Sequence, residues 1–127
     1  MRRTTMIALL LLTLVAAPAH SGEKADWTWT DTGLQATYLT LHTMDWAQTL
    51  HMSRNPDKFY ENNGLLGLHP SEGRVNSYFA VTALGHTAVS YILPKPWRTV
   101  WQGFWITTEY AYVQHNRKIG VGSSLHF

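Results

Sequence analysis

SEGRVNSYFAVTALGHTAVSYILPKPWRTVWQGFWITTEYAYVQHN, residues 71–116, decides the fold. Ser71 precedes Glu72 and Arg74 as a helix cap precedes its first turn, and Pro94 stops the run that follows. From Val75 to Leu93 the chain is almost free of charge. Pro96 suits the opening turn of a further helix, and Gly120 and Gly122 follow its end. The spacing therefore predicts helices over 71–93 and 96–116. Their link, PKPW, is so short that they should be antiparallel neighbours.

Working toward the N-terminus, GLQATYLTLHTMDWAQTLHMS (33–53) has no proline and no glycine after Gly33. Leu34, Tyr38, Leu41 and Met44 or Asp45 recur at helical spacing. A first helix is predicted over 32–53, capped by Asp31 or Thr32 and ended ahead of Pro56. Between the first and second helices the loop 54–70 is punctuated by Pro56, Gly64, Gly67 and Pro70. A loop this long is uncommon in a small domain. It either packs with Leu65, Leu66 and Leu68 buried or carries function.

The chain has 127 residues, which bounds it to one domain. Only 14% of residues are charged, against about 25% in ordinary soluble domains, while 13% are aromatic. That composition argues against disorder. The absence of cysteine excludes disulfides, thiolate metal sites and a cysteine nucleophile. A formal charge of +2 with scattered basic residues gives no nucleic-acid footprint.

Residues 1–21, MRRTTMIALLLLTLVAAPAHS, read as a secretory signal peptide. Arg2 and Arg3 form the basic region, Ile7 to Ala17 the apolar run, and Ala17-Pro18-Ala19 or Ala19-His20-Ser21 the cleavage signal. Residues 22–127 then form a single helical domain in a bacterial host. The end IGVGSSLHF alternates like a strand, so 117–127 is expected to be an extended tail.

The three helices are each about twenty residues, the length that crosses about 30 Å of hydrocarbon. Trp27, Trp29, Trp97 and Trp101 fall near one common end, like an interfacial belt. With the mature N-terminus outside, seven lysines and arginines lie on the cytoplasmic side and three outside. These features favour an all-α, three-helix transmembrane bundle in the bacterial inner membrane. Opposing them is a mean hydropathy of −0.18. Polar residues within the runs would have to face a bundle interior. The alternative is a soluble periplasmic helical protein.

The chemistry on offer is a polar constellation inside these runs. Asp45 and Thr49 share a face of helix one with His42; His86 lies on helix two and Glu109 on helix three. Asp45 and Glu109 both fall roughly 20 Å from the common end, so the two carboxyls can meet. Paired carboxyls would share a proton, bind a cation or be bridged by a histidine or tyrosine. Asp45, Thr49, His86 and Glu109 are thus the candidate buried cluster. The spacing supports no metal site, no nucleophile elbow, no phosphate loop and no dinucleotide fingerprint, so no catalytic residue and no cofactor is assigned.

MDWAQT (44–49), NPDKFYENNGLLGLHPSEGRVNSYF (55–79) and LPKPWRTVWQGFWITTE (93–109) together resemble a group of small bacterial and phage-encoded proteins of unknown function, helical and membrane-bound or exported. In that group an Asp and a Thr on the first helix precede a Glu-Asn-Asn-Pro-like loop. Asp45, Thr49 and Glu61-Asn62-Asn63 match it, and Gly64 stands where the pattern usually has Pro. The resemblance imports no activity. It implies that Glu61, Asn62 and Asn63 order the loop against helix one, since asparagine side chains satisfy backbone groups in turns.

The expected function is that of a small, non-enzymatic integral membrane protein acting through helix packing, with the lipid bilayer and a second copy or a membrane protein as partners. The alternatives are a periplasmic protein binding a small ligand or metal ion, and a phage-type lysis or holin-like protein. On export from a bacterial host the mature chain is expected to begin near His20 or Gly22. An intact mass retaining Arg2 and Arg3 would overturn the cleaved-signal reading.

Overall fold

The computed structural model describes residues 26–122 and 127. The signal segment 1–21 and four residues of the expected extended tail (123–126) lie outside the described residues. Three helices follow in order: α1 (Trp29–Ser53), α2 (Glu72–Ile92) and α3 (Trp97–Lys118). Among the described residues there is no strand, and the chain is all-α as expected.

α1 begins three residues earlier than its periodicity suggests. Thr28 is its cap: its hydroxyl accepts from the Asp31 amide, and the Asp31 carboxylate accepts from the Thr28 amide at 2.8 Å. This reciprocal pair satisfies two backbone donors that a helix start otherwise leaves open. α2 starts as the sequence indicates, with Ser71 accepting from the Arg74 amide. α3 runs on to Lys118, so the tail leaves the helix later than 117.

The register between α1 and α3 explains most of the core. Asp31 meets Arg98, Gln35 meets Gln102, and His42 meets Glu109, each pair 67 residues apart. A constant difference means that the two helices run parallel. Tyr38, Asp45 and Thr49 continue the α1 series at alternating steps of about three and four, opposite Trp105, Tyr112 and Asn116 on α3. That is the spacing of a heptad seam, filled here mainly by polar groups. Asn116 donates to Asp45 at 2.9 Å and to Gln48 at 3.1 Å.

α2 runs back antiparallel to both and packs along α1, with the apolar core toward the C-terminal end of α1. Phe79, Val75, Leu50 and Leu66 form the apolar core there, with Trp46 and Tyr78 against it. Burying each such side chain contributes about 1.5–3 kcal/mol. α2 and α3 touch each other least of the three pairs, although four residues join them. The short link holds them adjacent at one end, and they part beyond it.

At that end one side chain ties all three helices. Arg98 of α3 is 1% exposed. Its Nε donates to the Ser90 carbonyl of α2 at 2.8 Å, and its Nη1 to Asp31 of α1 at 3.2 Å. Its guanidinium also lies 5.2 Å from the centre of the Trp27 ring. Burial raises the Asp31 carboxyl, but hydrogen bonds from Thr28 and Arg98, with the Lys95 charge, outweigh it and hold it below the usual aspartate range.

The expectation of three membrane spans is not met. No helix among the described residues is long and apolar enough to cross a membrane. α1, at 25 residues, is not short. It is apolarity that fails, because the seam positions carry Asp, Gln and His.

Replacing Arg98 with methionine strands Asp31 without its main counter-charge. Lys95 remains 3.4 Å away and softens the loss, so we expect Arg98→Met to cost on the order of 3 kcal/mol in urea unfolding. Asp31→Asn combined with Arg98→Met should lose less than the two single changes together. Additive losses would mean that the pair is not coupled.

Candidate functional site

Where α2 and α3 part, a cavity of about 320 Å³ opens. α1 forms its floor through Tyr38, His42 and Asp45, while Asn63 and Leu65 of the loop close one edge. Its walls are aromatic: Tyr78 from α2, and Trp101, Trp105 and Tyr112 from α3.

His86 is stacked between rings, 3.5 Å from Tyr38 and 5.4 Å from Trp101 between centroids. Its tautomer follows from a chain of amides. Gln102 Nε2 donates to the Asp31 carbonyl and to Gln35 Oε1, which leaves Gln35 Nε2 to donate to Thr87 and to His86 Nδ1 at 3.1 Å. Nδ1 is therefore an acceptor and Nε2 carries the hydrogen. Burial, with His42 nearby, pushes the His86 imidazole down to about 3, so the ring stays neutral near pH 7.

His42 sits differently. Its Nε2 is 3.0 Å from the Phe79 carbonyl, which can only accept, so Nε2 is protonated. Its Nδ1 is 2.8 Å from Glu109 Oε1. That contact needs one more proton, held as imidazolium against carboxylate or as imidazole against carboxylic acid; the pair is neutral either way. Asp45 lies beside it. Burial first, then the charges of Glu109 and Glu61, raise the Asp45 carboxyl well above the usual range, against the hydrogen bond from Asn116. Burial likewise raises the Tyr38 and Tyr78 hydroxyls, which remain protonated.

Three buried polar atoms of cavity residues have no hydrogen-bond partner among the described residues: His86 Nε2, Trp105 Nε1 and Glu109 Oε2. Two are donors and one is a carboxyl oxygen. Each buried orphan costs about 1–3 kcal/mol until something pairs it.

The sequence cluster is thus only partly one site. Asp45, His86 and Glu109 line the cavity; Thr49 is buried on the seam away from it. Asp45 and Glu109 do meet, as a hydrogen-bonded carboxyl pair, and Glu109 is also held by His42, which the cluster omitted. Tyr38, Gln35 and Trp105 were also missed. Tyr38 already stands in the helical spacing of α1, but only as a packing residue, and Gln35 is a polar seam residue that a search for apolar periodicity passes over. Of the loop residues, Glu61 is buried and accepts from the Asn63 amide at 2.8 Å; Asn63 donates to the Tyr78 hydroxyl at 2.8 Å; Asn62 contacts His115 instead. The expectation for the loop leucines is corrected: Leu66 is buried, whereas Leu65 and Leu68 are exposed, since the turn at Asn63 points Leu66 alone into the core. Among the described residues no group of three histidines or carboxylates is placed to hold a metal ion.

Set against family models, curated proteins and solved structures, the chain has no significant match. Fold and site together define a parallel-seamed three-helix domain with a polar-floored, aromatic-walled cavity.

The neutral His86 has a measurable consequence. Unfolded, it takes up a proton near the ordinary 6.5; folded, it does not until about 3. Its contribution is therefore intact above 6.5 and is lost as pH falls between these values, by at most about 1.4 kcal/mol per pH unit. Relative to His86→Phe, the wild-type chain should lose stability in urea unfolding from pH 7 to pH 4. Parallel curves would show that His86 is solvated.

Proposed function

We propose that this chain is an exported, non-enzymatic binding protein that takes up a small molecule in the cavity between α2 and α3. One observation carries the reading. Of the seven buried side-chain atoms without a partner among the described residues, His86 Nε2, Trp105 Nε1 and Glu109 Oε2 belong to residues lining one cavity, while the other four lie on Asp31, Gln48, Glu61 and Gln102 outside it. Cavities of about 300 Å³ and above, walled by aromatic groups with a few polar atoms, are characteristic small-ligand sites. Export is supported by the N-terminal segment, with the periplasm as the destination.

Gly85 offers a clean test. It lines the cavity, and a Cβ built on it meets nothing within 4 Å. Gly85→Phe should fill the space and leave the fold intact, while Gly85→Ala should stabilise by about 0.5–1 kcal/mol through helix propensity. In a fragment screen read by tryptophan fluorescence, binders of the wild-type protein should bind Gly85→Phe at least tenfold more weakly. Fragments that bind both equally would place binding elsewhere and sink the proposal.

A second reading keeps the bilayer as a surface partner. Trp29, Ile92 and Trp97, at the joined end of the helices, are 90%, 72% and 51% exposed. Exposed tryptophans of this kind favour the headgroup level of membranes. Residues 22–127 would then float with phosphatidylcholine–phosphatidylglycerol vesicles, and Trp29→Ser with Trp97→Ser would not. Absence of the wild-type protein from the floated fraction would remove this reading without touching the cavity.

A further inference from the structure

We infer that the cavity selects a small organic amine, with its ammonium group seated against Asp45 and Glu109 and its apolar part between the aromatic walls. This inference rests on the small-ligand reading above and names the charge class of the ligand.

Four observations converge. Two carboxyl-bearing residues, Asp45 and Glu109, line the cavity, and no lysine or arginine does. Glu109 is 5% exposed, and its carboxyl pairs with His42 and with the buried Asp45 carboxyl, whose proton an ammonium can replace. Tyr38, Tyr78 and Trp105 surround the space with rings, whose negative faces attract organic cations. Lastly, the histidine within the walls does not compete as a cation. His86 is 4% exposed, and its burial, with His42 nearby, keeps the ring neutral while the Gln35 amide occupies Nδ1. Its free Nε2–H suits an oxygen on the ligand.

The groups facing the ammonium position come from every packed element. α1 contributes Tyr38, His42 and Asp45; the loop contributes the charge of Glu61; α2 contributes Tyr78 and His86; α3 contributes Glu109 and Tyr112. Without ligand the inner cluster is close to neutral: Asp45 keeps its proton because of burial and its acidic neighbours, and His42 and Glu109 share theirs. An entering ammonium replaces a proton. The Asp45 O–H bond breaks, the carboxylate stays to face the ammonium, and the proton leaves to solvent. The cavity's net charge is the same before and after. Amine binding therefore strengthens as pH rises, until Asp45 is ionised in the empty site.

The test uses three matched probes on the mature chain, residues 22–127: 2-phenylethylamine, 2-phenylethanol and 3-phenylpropanoate. The amine stays charged through neutral pH, as lysine does. Titration calorimetry in two buffers of different ionisation enthalpy should show the amine binding at least tenfold more tightly than the alcohol, with release of a fraction of a proton up to one. The carboxylate should not bind. Asp45→Asn keeps the shape of the protonated acid, so it should fold, release no proton and lose most of the preference for amine over alcohol. Glu109→Gln should also lose that preference where it folds. Equal binding of amine and alcohol, or tighter binding of the carboxylate, would overturn the amine assignment and leave the cavity reading standing. If no probe binds the wild-type protein in a manner sensitive to Gly85→Phe, both fall.

Discussion

The structure depends on a buried guanidinium. Arg98 reaches a carboxylate on α1 and a carbonyl on α2 from its own place on α3, so one side chain sets the distance among all three helices at their joined end. A buried charge is tolerable only when its hydrogen-bonding capacity is met, and Asp31, Ser90 and the Trp27 face supply that here. Asp31 is occupied twice: it completes the cap of α1 and balances Arg98. The helix start and the tertiary register are therefore fixed by the same carboxylate.

From that end the polar seam runs through the molecule. Steps along α1 meet steps along α3 at one offset, amide on amide at Gln35 and Gln102 and imidazole on carboxyl at His42 and Glu109, and one turn further on the Asn116 amide reaches back to the Asp45 carboxyl. Polar seams hold helices in one register, because a shift by a residue leaves several groups unpaired at once. An apolar seam would accept more slippage. The same polarity makes these helices unsuitable as membrane spans, although their length and tryptophan placement suggest otherwise.

The cavity is a consequence of unequal packing. α1 is closely matched to α3 by the seam and to α2 by Phe79, Val75 and Leu50, but α2 and α3 have little to bury against each other. The gap between them is lined by what the seam leaves over: the outer oxygen of Glu109, the far nitrogen of His86 and the indole of Trp105. Polar groups kept for register thus also supply a chemically distinctive interior surface, and Asn63 of the long loop ties its edge to α2 through Tyr78.

The sequence by itself determined the helices, the Ser71 cap, the loop position and the burial of Asp45, His86 and Glu109. Each is written locally, in proline and glycine punctuation, capping residues, and polar groups set in uncharged runs. Thr28 as the cap of α1 was legible too, but only by reading Asp31 as a residue of the first turn instead of the cap. Only the tertiary structure decided which polar residue meets which. Asp45 and Glu109 were matched by depth alone, and the pairing of His42 with Glu109 depends on the rotation of each helix about its axis. That rotation is set by Arg98 and the parallel seam, through contacts 67 residues apart. Local sequence carries no term for such contacts, and so neither the cavity nor its orphaned atoms could be read from it.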